Sequence, residues 1–327
     1  MARGPNDSAP VQPLSVGNVV SAAFQLYQEH AKEYLQIALY ATLWVLLPFL
    51  VAIAGVAVFL GIQNYALLGL LIPALFVLFF YCLTKYLANS ALIVRLAFRE
   101  LTNQPESLAD ARRFISPRQW QFLVIALLLF LLFTGIMLAV YLGAFILVML
   151  ILGALGGLQL FLDFSPERLV ANPGLLVIGI LAILLTFVLV LGLLYWLMVR
   201  FTISEVPLAV EPGLTARKSI RRSWDLTKGS VGRIFLILFV TFCVTIPLQI
   251  LVQILSSVVE GGIGAVVPPE SAAYAGLVFL VSYALSLALS VVVLPLWQII
   301  KALIYFDLQT RREGLGLELR DRGPAQP

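Results

Sequence analysis

The sequence predicts an all-α polytopic membrane protein. About six transmembrane helices form three hairpins, joined by amphipathic cytoplasmic helices, with both termini inside. Three observations carry that expectation. The chain is 61% hydrophobic and 12% charged, with a mean hydropathy of +1.01, where a soluble domain carries about 25% charged residues. Six apolar stretches, near 36–60, 66–88, 120–145, 174–199, 232–258 and 274–300, each match the ~20 residues needed to cross ~30 Å of hydrocarbon. Finally, of 21 Lys and Arg residues, all but Arg168 fall at the N-terminus, in two loops or in the tail. Short loops rich in Lys and Arg stay cytoplasmic.

Each element follows in order. Residues 1–14 are polar and Pro-rich without an apolar core, so they read as a disordered N-terminus rather than a cleavable signal peptide. Residues 15–34 read as an amphipathic helix. Val16, Val19, Val20, Ala23, Phe24, Tyr27, Ala31 and Tyr34 recur at helical spacing opposite Asn18, Gln25, Gln28, Glu29 and Lys32. Such a helix lies in the headgroup plane or packs under the bundle. Residues 35–104 make the first hairpin.

The second hairpin, 105–213, opens with Ser107-x-x-Asp110, a capping-box pattern. Ser116-Pro117 reads as the N-cap and first residue of the third span. From Trp120 to Leu162 there is no charge, and length alone would allow two spans. A seventh span would place the basic loop Arg200–Arg233 outside, against the charge rule. One long or tilted span is therefore expected, with 146–162 at the outer interface or folded back. Gly153 and Gly157 there give a GxxxG spacing, which suits close helix contact or a flexible break. The third hairpin, 214–314, starts with a basic helix over Thr215–Lys228, and 315–327 form a polar tail. Pro48, Pro73, Pro247 and Pro295 fall inside spans, where a bundle tolerates them.

An internal repeat of about 105 residues pairs Arg95 with Arg200 and Glu100 with Glu205. The recurring unit is an amphipathic helix followed by a hairpin.

Chemistry is sparse. His30 stands alone, and Cys82 and Cys243 lie inside apolar spans as small core residues. No phosphate-binding, nucleophile-elbow or zinc-protease motif occurs. The expectation is no catalytic residue, no cofactor and no metal. The candidate binding residues are basic: Arg217, Lys218, Arg221, Arg222 and Lys228 with Trp224 on the third helix, and Arg112 and Arg113 on the second. Such clusters suit anionic lipid of the inner leaflet or a membrane protein partner. They lack the aromatic interleaving of a nucleic-acid binder. Gln249 and Gln253, at i, i+4 spacing, are a candidate intramembrane polar site, though such glutamines more often join helices; Gln298 reads the same way.

Ser219-Ile-Arg-Arg-Ser-Trp-Asp-Leu-Thr-Lys-Gly229, followed by Arg233-Ile-Phe, and Tyr305-Phe-Asp-Leu-Gln-Thr-Arg-Arg-Glu-Gly314 resemble signatures of the glycerophosphoryl diester phosphodiesterase membrane domain family. Leu14 to Tyr27 and Asn103 to Arg113 look like stand-alone cyanobacterial members. The resemblance implies a polytopic helical membrane domain acting beside lipid enzymes. It does not bring the hydrolase activity, because His30 is followed by Ala31 where the catalytic domain has His-Arg. The expected function is a non-catalytic scaffold or accessory protein of the bacterial plasma membrane, with internal bacterial membranes left open. The alternative is a transporter or lipid-translocating protein.

Overall fold

The computed structural model of the chain describes residues 15–154 and 173–314. It is helical throughout, with no strand among the described residues. The helices are α1 (Val16–Glu29), α2 (Ala31–Ile62), α3 (Tyr65–Leu101), α4 (Leu108–Ile115), α5 (Gln119–Ala154), α6 (Pro173–Phe201), α7 (Val206–Val210), α8 (Ala216–Thr227), α9 (Val231–Val266) and α10 (Ala272–Arg312). Six of them, α2, α3, α5, α6, α9 and α10, are long and apolar enough to cross a membrane. The chain is an all-α multi-pass membrane protein.

The helices group into two compact units. One is built from Met1–Ile125 and Thr202–Pro327, the other from Ala126–Phe201. In the smaller unit, Phe133 of α5 meets Phe201 of α6 edge-on at 6.3 Å between ring centroids. The Arg200 guanidinium lies 5.2 Å from the Trp196 ring. The long span expected over the uncharged region is one helix, α5, that runs unbroken to Ala154. Residues 155–172, including Gly157 and Arg168, lie outside the described residues, as do the N-terminal 1–14 and the tail from 315.

In the larger unit, two hairpins have closed turns. Gln63 ends α2 in the left-handed region (φ 52°), with its N–H on the Phe59 carbonyl. Asn64 then caps α3 by accepting from the Ala66 N–H at 3.0 Å. Ser271 likewise caps α10 through the Tyr274 N–H at 3.1 Å. The four span prolines sit within continuous helices.

The amphipathic helices form as the pattern predicts, with two adjustments. The first helix breaks at His30, whose backbone (φ −120°, ψ 25°) separates α1 from a spanning helix that already begins at Ala31. Ser15 caps α1 through the Asn18 N–H. Its apolar face (Val19, Val20, Ala23, Leu26) is buried against α9 and α10, and the Tyr27 hydroxyl donates to the Val292 carbonyl at 3.1 Å. So α1 packs on protein. The second adjustment is at Ser116. It was expected to cap the third span, but its own backbone is helical (φ −54°, ψ −46°) and the chain passes through a short 3-10 turn, Ser116–Arg118, into α5. Ser107 does cap α4, accepting from the Asp110 N–H at 3.2 Å.

On the basic side, α3 and α10 pack against each other. Every residue from Ser90 to Phe98 and from Ala302 to Gln309 is buried. The Phe98 ring meets Tyr305 at 5.7 Å and Phe306 at 6.3 Å. Helix α7, wholly buried, wedges against α3 and α10.

Candidate functional site

The basic side divides its cations into two sets, one spent on holding the fold and one left facing outward. The first set is paired within the unit. Arg95, 3% exposed, donates from Nη2 to Glu106 at 3.0 Å and holds its Nε 2.9 Å from the other carboxylate oxygen as an ion pair. It also donates to the Ala209 carbonyl at 3.0 Å and lies 3.6 Å from the Phe114 ring centroid. Arg118 lies over the same ring at 4.3 Å and donates to the Glu211 carbonyl. Asp307 receives two bonds from Arg233 (2.7 and 3.2 Å) and the Nε of Arg311 (3.1 Å). Lys301 pairs with Glu205 at 2.7 Å. Charge-assisted, bidentate bonds of this kind are the strong ones.

Arg222 belongs to this structural set, although its sequence position suggested a surface role. Its Nε donates to Glu211 (2.8 Å) and to the Tyr305 hydroxyl (3.0 Å), and its Nη2 donates to Glu313 (2.9 Å). Tyr305 donates to Glu211 in turn. Desolvation alone would lower the Arg222 pKa. The Tyr305 contact and the two carboxylates outweigh it and hold the group above its ordinary value.

The second set stays outward. Helix α8 buries Ala216, Ser219, Ser223, Leu226 and Thr227. Ser219 fixes this face by donating to the Ser204 carbonyl (2.6 Å) while accepting from the Leu208 N–H (3.1 Å). That docking turns Arg217, Lys218, Arg221 and Lys228 to the exposed side. Trp224 is half-buried beside them. Arg221 meets Asp225 at 3.9 Å with both side chains largely exposed, a contact of little strength.

Arg112 and Arg113 are exposed on α4, and they part company there. Arg112 lines a cavity of about 550 Å³ together with Lys85, Tyr40, Trp44, Ser116 and Gln119. The Lys85 ammonium bonds the Gln119 side-chain oxygen at 3.0 Å and lies 5.4 Å from the Tyr81 ring. Two cations, two amphipathic aromatics and a hydroxyl around one space match the chemistry of the headgroup level, where cations meet phosphate and Trp and Tyr bridge water and lipid. The sequence showed Lys85 at a span end and Arg112 on a basic helix. It did not show that α4 folds back under α3 to bring them together.

Gln249 and Gln253 lie elsewhere, along a groove between α9 and α10. The His30 ring lies 6.0 Å from that of Tyr34, and no group of three His, Cys, Asp or Glu among the described residues is placed to hold a metal. Set against family models, curated proteins and solved structures, the chain matches none.

Proposed function

We propose that the chain is a non-catalytic accessory protein of a bacterial plasma membrane that holds anionic lipid headgroups on its basic side. The cavity lined by Lys85 and Arg112 carries this reading. The exposed cations of α8 support it, extending the positive surface beyond the cavity. Each basic residue at an anionic surface contributes roughly 1 kcal/mol. A membrane protein partner would use the same outward face of α8. The motif resemblance noted above favours such a role beside lipid enzymes, and the family assignment is part of this proposal.

The test is native mass spectrometry of the full chain with phosphatidylglycerol or phosphatidylcholine. Phosphatidylglycerol should be retained in preference. Lys85→Gln with Arg112→Gln should weaken its retention about 30-fold, the equivalent of about 2 kcal/mol. Arg217→Gln with Lys218→Gln and Arg221→Gln should weaken it further, in a salt-dependent manner. Equal retention of both lipids, or no change in these folded variants, would overturn the reading.

A further inference from the structure

The groove between α9 and α10 has a volume of about 770 Å³ and lies in the apolar spans, away from the basic-side cavity. Helix α9 contributes Gln249, Gln253 and Ser256, and α10 contributes Ser282, Ser286 and Ser290. Successive spacings of three or four residues keep each set on one face of its helix. Between Ser282 and Lys301 the groove follows α10 for about 28 Å at 1.5 Å per residue, close to the ~30 Å of the hydrocarbon core.

Some of its polar atoms lack protein partners. Gln298 is 5% exposed and lines the groove, yet its side-chain oxygen is buried without a hydrogen bond. Gln249 and Gln253 are exposed, and neither amide has a side-chain partner among the described residues. The Ser286 and Ser290 hydroxyls donate to carbonyls one turn back, at 2.8 and 2.9 Å, which leaves their lone pairs open to accept. An unpartnered polar group in hydrocarbon is costly, so this surface calls for a polar occupant.

Charge selects the occupant. The ionisable lining groups stand toward the two ends: Glu260 near the outer end of α9, and Tyr86 with Lys301 near the basic side, where Glu205 already neutralises the lysine. Between them lie neutral amides and hydroxyls. A phosphate at mid-span would meet no cation and pay heavily for its charge. Hydroxyls, which both donate and accept, match the amides and serines. The Trp297 ring in the lining offers an apolar face of the kind that packs on a sugar ring.

The geometry points to a path along which the hydroxyl-rich, uncharged headgroup of a glycosyl diacylglycerol passes between leaflets, its acyl chains remaining in the bilayer. This path is distinct from the anionic-lipid site on the basic side and uses none of its residues.

The experiment is leaflet exchange in proteoliposomes of the full chain. The probe is glucosyl diacylglycerol with a fluorescent acyl chain, and a membrane-impermeant reductant bleaches the outer pool. The wild-type chain should expose the inner pool, and should do so faster for the glucosyl lipid than for a phosphatidylglycerol probe. Gln253→Leu and Ser286→Leu, apolar changes at exposed positions in the membrane, should slow exchange at least tenfold. Gln298→Leu should do the same, and Leu280→Ala, at an exposed position outside the groove lining, should leave the rate unchanged. Exchange no faster than in protein-free vesicles, equal rates for both probes, or wild-type rates in the leucine variants would each overturn the proposal. So would cysteine cross-linking at Ser286 that shows a second copy seated in the groove. The comparison of probes on the wild-type chain needs no variant, so a variant that fails to fold does not remove the test.

Discussion

Helices α3 and α10 each pass through two environments, and their two halves obey different rules. Near its start α3 exposes Leu70 at 73% and Phe76 at 63%, as a span does when lipid is its solvent. About four to six turns later the same helix is buried all round, from Ser90 to Phe98. Helix α10 repeats the contrast, with Phe279 and Leu280 exposed and Ala302–Gln309 buried. In the outer half, apolar side chains need only match hydrocarbon. In the basic half they must fit one another, and the cations there must find particular oxygens. Sensitivity to mutation should therefore concentrate at one end of each helix.

The strongest way to break that comparison is Arg95→Ala. It strands Glu106 with Arg99 alone, frees the Ala209 carbonyl and opens space beside Phe114. Removing one partner of a buried pair typically costs about 3–5 kcal/mol. Leu70→Ala, on the same helix but lipid-facing, should stay within about 0.5 kcal/mol. Thermal unfolding in detergent compares the two; similar losses would show that the halves are not distinct.

Leu303→Ala comes next. Leu303 is fully buried in α10, so the change should cost about 2–5 kcal/mol through lost transfer energy and a cavity. Leu280→Ala, 50% exposed on the same helix, sets the lipid-facing reference. A smaller effect is expected at Ser219, where alanine leaves the Leu208 N–H and Ser204 carbonyl without their bonds. That should cost about 1–3 kcal/mol. It should also loosen α8, which faster proteolysis near Arg217 would report.

The two halves were unequally legible in the sequence. Spans are written in local composition, so hydropathy placed all six. The helix starts at Ser15 and Ser107 were legible too, since a cap depends on neighbours three residues away. The basic-side pairing was not. Lys301 with Glu205 and Arg222 with Glu313 join residues far apart in the chain, and a list of charges does not say which are paired. Arg222 and Arg221 are adjacent in sequence, but one helical step of about 100° sends one inward and the other to solvent. Gln249 and Gln253 were recognisable from their spacing. Ser282, Ser286 and Ser290 carry the same spacing on α10, a signal present in the sequence that gains meaning once α9 lies beside it. The position of Lys85 at a span end was legible, and its meeting with Arg112 required the fold of α4.

The smallest expected effects come from two residues that share a backbone conformation in different surroundings. Gln63 ends α2 at φ 52°, and Asn103 follows α3 at φ 53°. The left-handed region costs an L-residue roughly 1–2 kcal/mol, and less for Asn, whose short side chain tolerates it. Gln63→Gly should therefore stabilise the protein by about 0.5–1 kcal/mol, the relief of strain exceeding glycine's added flexibility when unfolded. Asn103→Gly should change stability by less than about 0.5 kcal/mol. Asn103→Ala should lose about 1 kcal/mol. Asn103 also directs the chain toward Glu106, with the next N–H bonded to the Arg99 carbonyl at 2.9 Å. A loss at Asn103→Ala that vanishes in an Arg95→Ala background would show that this turn acts through the Arg95–Glu106 grip. A loss that persists would place its whole effect in the local backbone, as at Gln63.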